Sequence, residues 1–221
     1  PRDEDRKAEA KWAIHSESRR GVDAMLRAAE SEIPLSTTGE DWDVNPMLFP
    51  VANGVIDLET GRLRPGRPGD MLTKVSPAVF VPGATCPHFE GAVAGMFASC
   101  PEVVGYVQRV IGYCLTGLTV EQAIWILFGT GANGKSTLVE TIIRVIFGAD
   151  FAWTMPFPSS SWSDSMSEYQ KASLQGRRLV QTSEVSRQGR LNEEIVKSLT
   201  GGDTVNARHP YGRPFTFIPS A

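Results

Sequence analysis

Long apolar runs are missing from this chain: no stretch approaches the roughly 18 residues needed to span a bilayer. Its opening, PRDEDRKAEAK, is charged and has no apolar centre, which argues against a secretory signal and leaves the cytoplasm as the expected compartment. Cysteine is scarce. Cys86, Cys100 and Cys114 are odd in number and lack C-x-x-C spacing, so neither a disulfide framework nor a zinc site is expected, despite His88 near Cys86. Three reduced thiols fit better. Internal repeats are absent, and the one biased tract, Pro158 to Ser165, is expected to be a mobile loop.

Charge of one sign is also in short supply, since the 221 residues sum to a formal −3. That balance conceals a gradient. Residues 1–60 carry 7 basic and 13 acidic side chains, residues 61–170 carry 7 and 8, and residues 171–221 carry 8 and 4. A polyanionic partner should therefore meet the C-terminal part of the chain, although uneven solvated faces would give the same pattern. At 41% hydrophobic and 21% charged, the composition is that of a globular protein with a real core.

Residues 1–32 suggest one or two charged helices broken near Gly21, with Val22, Met25, Leu26 and Ala29 as a narrow apolar stripe. A turn-rich connector follows from Pro34 to Asn45. NGVIDLETGRLRPGRPGD, from Asn53, predicts short strands around a Thr60-Gly61 turn and then a loop. In CPEVVGYVQRVIGYCLTG, Pro101 suits a helix start, Glu102 its positive end and Gly117 its stop. Val103, Val107, Val110, Ile111 and Cys114 would form its packing face. A domain boundary is placed after this helix, dividing residues 1–118 from 119–221.

Ala123 to Phe128 is a continuous apolar run, predicted to be a strand covered on both faces. A helix over Lys135 to Phe147 should follow, with Leu138, Ile142 and Ile146 spaced by four and Gly148 closing it. Between them lies Gly129-Thr130-Gly131-Ala132-Asn133-Gly134-Lys135-Ser136-Thr137, which matches G-x-x-x-x-G-K-[ST]. From average residue usage, a chance match in a chain this long has odds on the order of 1%. Glycines let backbone N–H groups turn toward phosphate oxygens without Cβ clashes, and the following helix adds positive potential. The pattern predicts a nucleoside triphosphate site, in which Lys135 bridges the β- and γ-phosphates and Ser136 completes a Mg²⁺ shell. An ordinary glycine turn with a solvated lysine is the plainer alternative.

A triphosphatase also needs a carboxylate at the end of a neighbouring strand, to order the metal and the attacking water. RRLVQTSEV offers Glu184 at the end of a short strand over Leu179 to Thr182, with Ser183 where a first acid is usual. Taken by itself, Glu184 is more readily a surface glutamate than a catalytic one. Downstream, Asn192 can cap a helix bearing Glu193, Glu194 and Lys197, which Gly201-Gly202 ends. Thr204 to Ala207 and Phe215 to Ile218 are strand-like, so the intervening RHPYG becomes a hairpin tip presenting Arg208, His209, Tyr211 and Arg213.

LNEEIVKSLTGGDTVNARHPYGRPFTFIP resembles the motif that superfamily 3 helicases carry between Walker B and sensor 1. Upstream, NGVIDLETGRLRP, CPHFEGAVAGMF and VIGYCLTGLTVEQAIWILFGTGANGKST resemble the poxvirus and phage primase–helicase branch, including the domain ahead of its ATPase. The resemblance runs from about Asp41 to Pro219. It implies an α/β fold, with a parallel-sheet P-loop ATPase core of AAA+-like type behind a small α+β accessory domain. It also implies ATP and Mg²⁺ as cofactors, and Lys135 and Glu184 as catalytic residues with Ser136 and Glu184 toward the metal. The partners it implies are single-stranded DNA, held by Lys197, Arg208, His209, Tyr211 and Arg213, a hexameric ring of copies and other replication proteins. Whether Lys197 serves the DNA or the ATP side stays open.

Gln181 departs from the family's more apolar Walker B strand. The family also continues past the position of Ala221 into a sensor asparagine and an arginine finger, so the resemblance implies a fragment whose core is incomplete. Without that arginine, hydrolysis should fall by roughly 10³–10⁵. The expected function is ATP-dependent translocation on single-stranded DNA in phage, prophage or plasmid replication. A P-loop phosphotransferase and a non-catalytic nucleotide-binding oligomerisation module are the two alternatives from other classes.

Overall fold

The computed structural model describes residues 3–33, 35–37, 39–129, 131–156, 166–183, 197 and 199–220. The chain divides into two compact units, Pro1–Trp42 and Asp43–Ala221. In the first, α1 (Asp3–Glu17) and α2 (Arg19–Ala29) meet at Ser18 rather than at Gly21. Ser18 wins because its hydroxyl accepts from the Gly21 N–H at 3.1 Å, an N-cap that satisfies an otherwise orphaned donor. Gly21 sits inside α2, where a Cβ would lie 2.4 Å from the His15 carbonyl oxygen. The glycine permits the tight junction; it does not break the helix.

The second unit opens with an antiparallel meander of β1 (Leu48–Val51), β2 (Gly54–Asp57) and β3 (Arg62–Arg64), paired in the order β1-β2-β3. The Thr60-Gly61 turn is where the sequence places it, joining β2 to β3. All four residues of β1 are buried, so alternation is absent there and only its Asn53-Gly54 exit betrays the hairpin. After β3, Arg64 and Asp70 form a two-pronged ion pair, each N–H···O at 2.8 Å, which closes the Pro/Gly-rich loop.

Two helices follow, α3 (Pro87–Met96) and α4 (Glu102–Thr116). Helix α4 has the predicted ends: Pro101 leads it, and Gly117 stops it at φ 62°. Val104, Val107, Ile111, Cys114 and Leu115 pack inward, so the buried face is rotated slightly from the one expected. All three cysteines are free thiols, and burial pushes Cys114 up to about 11, which keeps it protonated and inert.

Then α5 (Lys135–Ile142) runs into a π-helical segment, Ile143–Phe147, before α6 (Gly148–Phe151). The expected spacing of four continues only to Ile142. The wider turn inserts an extra step, and Phe147 becomes the fully buried anchor while Ile146 packs beside the core. Strand β4 (Ala152–Pro156) pairs in parallel with β5 (Leu179–Ser183), and α7 (Glu168–Ala172) lies between them in sequence. β6 (Val205–Arg208) and β7 (Pro214–Phe217) make an antiparallel hairpin.

The fold is therefore mixed α/β with small sheets, and its parallel part has two strands among the described residues. One core joins Phe49 and Val51 of β1, Val93 of α3, Leu138 and Ile142 of α5, Phe147, Phe151 and Ala152. It draws on residues from both sides of position 118. A second cluster gathers Met155, Met166 and Leu174, with Phe217 of the hairpin packed on it. No described helix is long and apolar enough to cross a membrane.

The predicted strand Ala123–Phe128 is a correction. It is in no ladder, and Ile126 and Phe128 are 72% and 90% exposed. A strand covered on both faces needs hydrogen-bonded neighbours, and β4 and β5 pair with each other instead. What holds the run is Trp125, whose Nε1 donates to the Tyr106 hydroxyl at 3.0 Å and whose ring meets Tyr113 edge-on at 6.0 Å.

Candidate functional site

The glycine loop is built by three constraints. Gly134 caps α5 in the left-handed region at φ 82°, with no side-chain cap, so the first N–H groups of α5 face the loop. A Cβ on Gly134 would lie 2.7 Å from Met96 Cε of α3, so another residue here would strain the backbone and push the Met96 side chain aside. Gly129 is the second tight point. A Cβ there would meet the Asn133 amide at 2.2 Å and Lys135 Nζ at 3.2 Å.

Lys135 projects from the start of α5 back over this loop. Its Nζ donates to Asn133 Oδ1 at 2.6 Å and to the Gly129 carbonyl at 3.2 Å. Ala132 also has positive φ, at 58°. The loop thus collects a cation, a helix N-terminus and glycines that leave the backbone bare, the properties that suit an anionic, multidentate ligand such as a polyphosphate. Ser136 and Thr137 follow in the first turn of α5, both exposed. Gly131 is also exposed, with nothing within 4 Å of its Cβ direction. Of the nine loop residues singled out, Thr130 lies outside the described residues.

Glu184 lies outside them too, and so do Asn192, Glu193, Glu194 and the tract 158–165. The strand leading to Glu184 is where the sequence puts it, one residue longer than expected. Helix α5 and β5 share a core: Leu138 and Ile142 pack with Ala152, and Leu179 of β5 lies against them. Gln181, the polar departure in this strand, buries its Oε1 without a hydrogen-bond partner among the described residues. No group of three or more metal-ligating side chains occurs among those residues.

At the other sheet, the hairpin tip has a defined shape. Arg208 Nε donates to the Gly212 carbonyl at 2.9 Å, and the Gly212 N–H donates to the His209 carbonyl at 2.9 Å. His209 stacks on Phe215, centroids 5.1 Å apart. Tyr211 sits at φ 59°, a conformation uncommon for a bulky residue, and is fully exposed. Arg213 is exposed beside it, and Lys197 is exposed before the hairpin, its carbonyl accepting from Gly201 at 2.7 Å. Sequence patterns offer no means of finding Met96, which walls the loop from far upstream, or Arg178. Arg178 is 7% exposed, and its guanidinium donates to the Leu48 carbonyl at 2.8 Å and to that of Leu115 and lies over Phe49 and Phe151.

Residues 2–98 match the family model described as D5 N terminal like. Residues 127–221 match a family of unknown function, DUF5906. Over 186 residues, 80% of this chain, the sequence is 30% identical to a protein of Acanthamoeba polyphaga mimivirus named "putative helicase". The chain spans 19% of that relative's length.

Proposed function

We propose that the chain is part of a primase–helicase-type protein of the phage and viral kind, an ATP-driven, superfamily 3 helicase translocating on single-stranded DNA. The observation that carries this reading is Lys135, folded onto Gly129 and Asn133 at the bare N-terminus of α5. The AAA+-like P-loop core belongs to the same reading, with residues 119–221 as its part and residues 1–118 as the accessory domain.

In this reading, bound ATP with Mg²⁺ supplies the energy of phosphoryl transfer to water. Backbone N–H groups of Gly131–Ser136 surround the phosphates, and the Lys135 ammonium leaves its loop oxygens for phosphate oxygens. The Ser136 hydroxyl would complete the metal shell, and Glu184, the next residue in sequence after β5, would orient the water. The hairpin grips DNA without reading sequence: Arg208 and Arg213 meet phosphates, and Tyr211 stacks on a base, with His209 and Lys197 alongside. Copies assemble into a ring, in which a neighbouring subunit completes each site.

Titration calorimetry with ATP·Mg tests the cradle directly. Binding is expected for the native chain and should be lost in Lys135→Ala. Absence of uptake at millimolar nucleotide, or unchanged uptake in the variant, removes the proposal. Turnover of a small-molecule acceptor without any effect of DNA would favour the phosphotransferase instead. Nucleotide-dependent assembly without hydrolysis would favour the binding module.

A further inference from the structure

We propose that a cavity beside β4 is a second binding site, for a flat-ringed organic phosphate of nucleotide size. Its volume is about 580 Å³, within the range of small-molecule sites. It is separate from the glycine loop, because the eight residues of α5, about 12 Å of helix, lie between that loop and Ile143 on the cavity wall. Two backbone irregularities shape the walls. The π-helical segment supplies Ile143 and Arg144, and such turns recur at functional sites. Ser76, fully buried, pins this segment by donating to the Ile146 carbonyl. Gly148 follows at φ 63°, where an added Cβ would lie 2.4 Å from Pro77 Cδ, so only glycine lets these two lining residues approach so closely.

The lining then selects the ligand. Among the described residues it holds two arginines and no carboxylate. Arg177 donates from Nε to the Ser173 carbonyl at 3.1 Å and from Nη1 to the Ala149 carbonyl, which fixes its plane and leaves Nη2 for a ligand. Arg144 stands at the rim, its side chain 80% exposed. It meets Glu140 through Nε alone, at 3.2 Å, in a surface pair that costs little to break. The Trp153 indole N–H and the Thr154 hydroxyl have no hydrogen-bond partner among the described residues. All these groups donate, and together they outnumber the two oxygens of a carboxylate; a phosphate, with three acceptor oxygens, takes up more of them. The ring comes from Trp153. It packs on the Met155 cluster and also lines the cavity, beside Ile143 and Ala152, so a flat ligand can stack there while its phosphate meets the guanidinium groups.

Titration calorimetry with deoxythymidine monophosphate tests the site, on the Lys135→Ala chain so that the glycine loop takes no part. Saturable binding with quenched tryptophan emission is expected. Thymidine and inorganic phosphate should each bind roughly tenfold more weakly, because each satisfies half of the site. Arg144→Glu, at an exposed position that leaves the fold intact, should weaken binding roughly fivefold, and Arg144→Lys should weaken it less. Trp153→Phe should abolish the quenching. Absence of saturable binding, inorganic phosphate binding as tightly as the nucleotide, or indifference to Arg144→Glu would each overturn the proposal. A dT decamer that displaces the monophosphate identifies single-stranded nucleic acid as the source of the ligand, and one that does not identifies free nucleotide; the site stands in both cases. Failure of the native chain to take up ATP·Mg would count against the helicase reading alone.

Discussion

Arg178, the residue before β5, donates from Nη2 to the carbonyl of Leu48, the first residue of β1, at 2.8 Å across 130 positions of sequence. Its other branch reaches the carbonyl of Leu115 at the end of α4, and its plane lies 5.5 and 5.0 Å from the ring centroids of Phe49 and Phe151. One cation therefore ties the meander, α4 and the strand leading to Glu184. Burial pulls its pKa down to about 10, which still leaves it charged at neutral pH. A C-terminal helix carbonyl and two ring faces are good company for a buried cation.

Removing this side chain should be costly. Arg178→Ala strands two buried carbonyls and leaves a gap over two phenylalanine rings, a loss of about 3 kcal/mol. Urea denaturation measures it. A loss below about 1 kcal/mol would mean that the tie is incidental.

Asp70 answers to pH. The Arg64 hydrogen bonds, with help from the Arg67 backbone N–H, hold its carboxyl down at about 2. A carboxylate depressed in the folded state stabilises it above the unfolded pKa near 4 and loses that contribution as pH falls through about 2. Melting temperature should therefore drop between pH 4 and 2, and drop less steeply in Asp70→Asn. Identical slopes for the two proteins would show that the pair contributes nothing.

Gly134→Ala combines a left-handed backbone with a Cβ 2.7 Å from Met96 Cε. Stability should fall by about 1–2 kcal/mol, and ATP·Mg affinity should fall with it because the loop must move. Pairing the change with Met96→Ala removes the clash and should recover part of both. No recovery would place the cost elsewhere.

Phe128 separates two accounts of its segment. Buried in a central strand, it would cost about 3–5 kcal/mol when cut to alanine. At 90% exposure the cost should stay within about 0.5 kcal/mol in this chain. Chemical denaturation of Phe128→Ala decides between them.

For the hairpin, Tyr211→Ala should weaken single-stranded DNA binding by about 1–3 kcal/mol. Arg208→Ala with Arg213→Ala should flatten its salt dependence by about 1.4 in slope for two phosphate contacts. Fluorescence anisotropy over a salt series reads both. Unchanged affinity would show that the tip is not the grip.

Local chemistry was legible in the chain. The Pro101 and Gly117 ends of α4, the Thr60-Gly61 turn, the start of α5 and the β6–β7 hairpin all depend on neighbours within a few residues. The glycine loop was equally plain, because its pattern encodes backbone freedom at fixed spacing. The Ser18 junction was misplaced by three residues because a serine cap and a permissive glycine both interrupt helical sequence.

The tertiary structure alone decided which apolar residues found cover. Ala123–Phe128 has the composition of a buried strand, yet strand identity needs a hydrogen-bonding neighbour, and composition does not supply one. The π turn that makes Phe147 the anchor is likewise chosen by the cavity it fills. Met96 beside Gly134, and Arg178 between Leu48 and Leu115, are contacts across 38 to 130 residues. Short-range sterics and capping are written residue by residue. Long-range burial is a property of the closed chain, because whether a side chain is covered depends on what the fold brings beside it.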